Sequence, residues 1–229
     1  MSGVLRLTLH RELGSEVVQL VVGSERRLFP VHKKRLCSVS KLFDKVFNSS
    51  FAEAANGRID LPTDTPETVS VFVTWLYGDH VRDMPIDDNN PGALDLYIDL
   101  YLFADAKRCE KLKNELMDTI RWGIDQGRLN FLFSHIKRIF DGTCSSCEAP
   151  IRTFCAAKIA YGLAEGDLDP RDVLALFKIG PDALEEYLSF QAAGHDHGNA
   201  GLISSTGEME VDVTFSELQH HICVSYSTY

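Results

Sequence analysis

RLFPVHKKRLCSVSKLFDKVFNSSFAE, residues 27–53, changes its period part-way along. Its first residues alternate as a short strand does. From Pro30 to His32 onward, apolar side chains recur at Leu36, Val39, Phe43, Val46 and Phe47, at helical spacing. That switch predicts a strand running directly into helix. Catalytic loops at such junctions carry a glycine-rich nest, a nucleophile beside a base, or converging carboxylates, and this one carries none of them. It mixes apolar anchors with the basic run His32-Lys33-Lys34-Arg35 and ends in Phe51-Ala52-Glu53. The pattern points to a binding module before an enzyme.

Upstream, Val17 to Gly23 is β-branched, short and closed by a Gly-Ser-Glu turn, so it predicts a strand with Arg27 to Phe29 returning as its hairpin partner. Val4, Leu5, Leu7 and Leu9 alternate only in part; residues 1–13 are expected to form an arm, as an edge strand, a dimer contact or a weakly ordered terminus. Downstream, one helix is expected from Val31 to Cys37. A second, capped by Ser38 or Ser40, should run through Phe47. Asn56-Gly57 marks a turn before a third strand, Arg58 to Leu61. Thr65-Pro66 then opens a helix bearing Val69, Phe72, Val73, Leu76 and Tyr77, closed by Gly78.

Asp79 to Gly92, with two prolines and little apolar material, reads as an exposed loop. Leu94 to Ala106 is apolar nearly throughout, as a buried helix would be, and Cys109 to Ile120 is amphipathic. Trp75, Tyr77, Tyr97, Tyr101 and Phe103 fall at helical spacings and are expected in the core. His32 is expected to play a structural part, its imidazole donating to a backbone carbonyl at the strand-to-helix turn.

Beyond Trp122-Gly123 the character changes to a helical array over residues 124–192, with helices expected at Leu129 to Phe140, Arg152 to Leu163, Asp169-Pro170 to Phe177 and Pro181 to Phe190. Residues 193–229 read as a mobile tail rich in Gly, His and Asn, in which Met209, Val211, Val213 and Phe215 alternate as a short strand would. No repeat at solenoid or propeller spacing is present.

Composition narrows the classes further. With 45% hydrophobic and 24% charged residues, the 229-residue chain has enough apolar material for a sizeable core. A formal charge of −10 and a pI near 5.2 repel a phosphate backbone, so direct nucleic-acid binding is not expected. No segment supplies the apolar run of a membrane span. The six cysteines are dispersed, which fits a reducing intracellular compartment, cytoplasmic or nuclear. Cys144 and Cys147 have the only metal-like spacing. Zinc would need two further ligands, and Cys155 and His135 sit at irregular spacings, so no metal and no cofactor are expected.

Several partial motifs occur in a fixed order: Phe-x-Val-His-Lys at Phe29 to Lys33, Ser-x-x-Phe at Ser40 to Phe43, Phe-x-Glu at Phe51 to Glu53, Ile-x-Leu-Pro at Ile59 to Pro62, Trp-Leu-Tyr-Gly at Trp75 to Gly78, and Leu-Tyr-x-x-Leu-Tyr-x-x-Ala-Asp at Leu96 to Asp105. In that order they resemble the BTB/POZ domain over roughly Gly14 to Gly123, residues 14–123. The resemblance is greatest to the short BTB proteins of filamentous fungi, and the helices that follow are only loosely similar to a BACK extension. It implies an α+β fold in which a short sheet flanks a helical cluster, followed by a helical C-terminal extension.

The function implied is non-enzymatic protein binding. Many relatives present a substrate to a cullin-based ubiquitin ligase. Others are homodimeric scaffolds in transcriptional regulation, or assemble complexes without a cullin. The hydrophobic-x-Glu element that lies near the cullin in adaptors falls on Phe51 and Glu53. The buried acid of repressor-type members falls on Glu16, one carbon longer than the usual Asp, and its basic partner on Lys33.

Overall fold

A computed structural model of the chain describes residues 13–50, 52–78, 80–81, 92–144 and 149–198. Two compact units divide it, Met1–Glu148 and Ala149–Tyr229. The first begins with β1 (Val17–Val22) and β2 (Arg27–His32), paired antiparallel so that Val18 faces Val31 and Leu20 faces Phe29. Gly23, at φ +71°, begins the turn between them in a left-handed conformation that a Cβ would strain. The strand β3 (Arg58–Leu61) lies parallel to β1, with Leu20 beside Ile59, giving the order β2-β1-β3. Parallel neighbours need a long crossover. Three short helices supply it: α1 (Lys33–Val39), α2 (Lys41–Phe47) and α3 (Ala52–Asn56).

The break between α1 and α2 falls at Ser40, whose backbone is extended. Its hydroxyl accepts from the Phe43 N–H at 3.1 Å and donates to the Lys107 carbonyl at 2.5 Å, so one side chain both starts a helix and ties it to a distant turn. Thr65 caps α4 (Pro66–Leu76) in the same way, accepting from the Thr68 N–H at 3.2 Å. The unit continues with α5 (Ala93–Ala106), α6 (Glu110–Asp125) and α7 (Phe133–Gly142).

Its core is where the sheet's inner face, Val18, Leu20 and Val22, meets these helices, and all three side chains are fully buried. Phe72 is the hub of the aromatic packing, 4.9 Å from Phe103, 6.1 Å from Trp75 and 6.4 Å from Phe43 between ring centroids. Offset and tilted rings at such distances add to the area they bury. Trp75 and Tyr101 are buried, as their spacing predicted.

Several boundaries differ from the sequence expectation. Strand β2 continues to His32, and α1 starts after it at Lys33 rather than at Val31. The expected helix from Leu129 starts at Phe133, because residues 128 and 129 are used to close α6: both amides donate to the Gly123 carbonyl, at 2.8 and 3.0 Å. Gly123 also makes room for Leu129, whose side chain a Cβ there would strike. Tyr77, expected in the core, lies at the surface with 42% exposure, since α4 ends at Leu76 and turns it outward.

The second unit contains α8 (Pro150–Glu165), α9 (Pro170–Ile179) and α10 (Pro181–Gly198), each opened by proline at its first position. Residues 193–198, expected in the mobile tail, are the last turns of α10. The alternating stretch from Met209 to Phe215 lies outside the described residues. Among the described residues no helix is long and apolar enough to cross a membrane.

Candidate functional site

The strand-to-helix junction places most of the singled-out polar residues. In an antiparallel ladder, bonded and non-bonded pairs alternate. The Lys33 N–H donates to the Glu16 carbonyl at 2.9 Å, so Leu28, Pro30 and His32 turn their backbone groups to the free edge of β2. Pro30 has no N–H to offer. The His32 N–H is taken by the Tyr77 hydroxyl at 2.9 Å, which in turn lies 2.8 Å from His32 Nδ1. The hydroxyl oxygen has two lone pairs, so the ring tautomer sets which of Nδ1 and the hydroxyl donates in the second contact. His32 therefore holds the junction through Tyr77 and not through a backbone carbonyl. Among the described residues, Leu28 is the one of the three outward positions that keeps an amide donor without a partner, so the edge is poor in donors for strand addition.

Beside this junction, Glu16 and Lys33 form an ion pair of 3.1 Å at the rim of a groove of about 560 Å³, which Cys37, Asp44 and Asn48 also line. Glu16 is exposed at 62%. The buried acid of repressor-type relatives is thus not reproduced, because residues 15–17 run along the surface before β1 turns inward. Burial, then the Asp44 carboxylate, pushes the Cys37 thiol up, which withholds the thiolate that a nucleophile needs.

Farther along, Glu53 is half-buried on α3 and makes no hydrogen bond or ion pair with any described residue. Its companion Phe51 lies outside the described residues, as does Cys147. Cys144 is exposed, and among the described residues no three His, Cys, Asp or Glu side chains converge as a metal site. Trp75 donates its indole N–H to Glu115 at 2.9 Å, a polar partner that helical spacing alone does not signal.

Compared with known families, residues 12–115 match the model of the BTB/POZ domain. This segment is a BTB/POZ domain. The strand hairpin, the crossover of short helices, the parallel third strand, α4, α5 and the first part of α6 are the elements it spans. BTB/POZ domains are protein-interaction modules, and that is the function this half of the chain carries. No curated protein matches the chain.

Two groups that matter were not singled out from sequence. Arg152 is buried on α8, where its guanidinium meets Asp182 at 2.8 Å and Glu186 at 3.8 Å. Arg58 and Asp60 flank Ile59 on the BTB/POZ domain's edge strand β3. A buried arginine leaves no trace in composition, and a strand of four residues is too short for its charges to stand out from its turns.

Proposed function

We propose that the BTB/POZ domain joins the chain to a cullin-type ligase scaffold and that the helical unit after it receives the client to be modified. The observation that carries this reading is Glu53: a carboxylate on an exposed short helix, free of partners among the described residues, two positions after an aromatic side chain. An apolar anchor beside an unpaired acid suits a partner that offers a pocket rimmed by basic or amide groups. In the second unit, Leu174 and Leu188 stand 54% and 55% exposed, apolar surface of the kind a client can cover.

The test is capture of the full chain by a cullin N-terminal region, compared with Phe51→Ala and Glu53→Lys. Both variants should lose capture while keeping the circular dichroism and melting temperature of the parent chain. Undiminished capture of folded variants would contradict the assignment. A homodimeric scaffold without a cullin is the second reading, favoured by the exposed side chains of Arg58 and Asp60 on the edge strand β3.

A further inference from the structure

The two edges of the BTB/POZ sheet are not equivalent. On β2, Pro30 and the Tyr77–His32 pair leave the edge poor in donors. On β3, the parallel ladder sets the outward groups: the Gln19 N–H donates to the Gly57 carbonyl at 2.8 Å and the Gly23 N–H to the Leu61 carbonyl at 3.0 Å, so residues 57, 59 and 61 face β1. Arg58 and Asp60 therefore direct their amides and carbonyls away from the sheet. None of these four backbone groups has a partner among the described residues. Both side chains are solvent-exposed, at 44% and 54%.

We propose that β3 is a self-association edge, at which a second copy of this chain adds its own β3 antiparallel about a twofold axis through Ile59. In that register Arg58 stands opposite Asp60 of the other copy and Asp60 opposite its Arg58, while the two Ile59 residues face each other. The outward backbone groups then fall into two bonded pairs, giving four N–H to carbonyl bonds around a central non-bonded pair. Non-bonded pairs bring side chains closest. Ile59, on the inner face with Leu20 and only partly buried, gains an apolar neighbour there.

Charges on an exposed edge ordinarily repel a second strand. Here the sign alternates about the centre, so self-pairing matches opposite charges, whereas a two-residue shift of register sets Asp60 against its own copy. Asp60 already lies 3.0 Å from Arg26 and 3.7 Å from Arg58 within the chain, so the paired strands build an alternating network across the twofold. The contact is small, which fits weak, concentration-dependent pairing. It is independent of the cullin reading, because it uses neither Phe51 nor Glu53.

Sedimentation velocity on the full chain across a range of concentrations tests it, with two charge variants. Arg58→Asp gives an all-acidic edge and Asp60→Arg an all-basic one. Each alone should associate roughly tenfold or more weakly than the parent chain, and an equimolar mixture of the two should recover association. Asp60→Pro, which removes an outward donor unused within the sheet, should also abolish pairing while the chain stays folded by circular dichroism. A parent chain that is monomeric at every concentration would overturn the proposal. So would an association that all three folded variants leave unchanged.

Discussion

The two units hold themselves together by different physics. In the first, Phe43, Phe72, Phe103 and Trp75 pack ring against ring, beside the largely buried ion pairs Lys113–Asp105 and Lys107–Asp64. In the second, small residues line the buried part of α8, among them Ala156, Ala157 and Gly162, and a buried arginine joins α8 to α10. Thr153 adds to that joint, donating its hydroxyl to Glu186 at 2.8 Å. An aromatic core tolerates a changed surface, so a BTB/POZ unit can vary its edges while keeping its frame. A helix pair held by a buried guanidinium depends on all partners being present.

Phe72→Ala should have the largest effect, about 3–5 kcal/mol, because the ring's transfer energy and the cavity left among Phe43, Trp75 and Phe103 both count. Hydrogen exchange should place the loss of protection in the first unit. If the second unit opened equally, the two would unfold as one cooperative body and would not be held by separate interactions.

Arg152→Ala should cost about 2–3 kcal/mol, less than a fully buried pair would, because Asp182 and Glu186 keep contact with water. Arg152→Met, which restores the volume without the charge, should recover part of that. Equal losses in the two variants would show that charge pairing and not packing governs the joint. Denaturant unfolding of both chains measures the difference.

The smallest expected effect is a pH dependence within the first unit. At the start of α7, His135 Nδ1 accepts the Leu132 N–H at 2.9 Å, the part that Glu or Gln plays in a capping box. Burial holds the His135 pKa below its ordinary value; Asp95 opposes this and Arg138 reinforces it. A histidine kept neutral by folding contributes stability above its unfolded pKa of about 6.5 and loses it as pH falls through the lowered folded value. Thermal melts from pH 7 to pH 5 should therefore show a destabilisation that is reduced in His135→Gln, which keeps an acceptor and removes the titration. Identical pH profiles for the two chains would contradict the cap.

Much of the BTB/POZ frame was legible in the sequence, because strand and helix periods change at Pro30 to His32 and each turn carries its own residue chemistry: Ser40, Asn56-Gly57, Thr65-Pro66. What periodicity could not convey was direction at element ends. Tyr77 keeps helical spacing with Val73, yet one residue beyond the end of α4 it leaves the core and reaches His32. Leu129 continues an apolar pattern, yet the cap of α6 takes its backbone first. The candidate contact residues were visible only as loose patterns. Glu53 is distinguished by having no partner among the described residues, and the outward alternation at Arg58 and Asp60 emerges only once the parallel register with β1 is known.

Light scattering on the chain, alone and after mixing with a cullin N-terminal region, reads directly whether the BTB/POZ unit holds a cullin. The mass should rise by one cullin fragment for each copy of the chain, and that rise should disappear with Glu53→Lys. A folded chain whose mass is unchanged by the fragment would contradict the ligase-adaptor function.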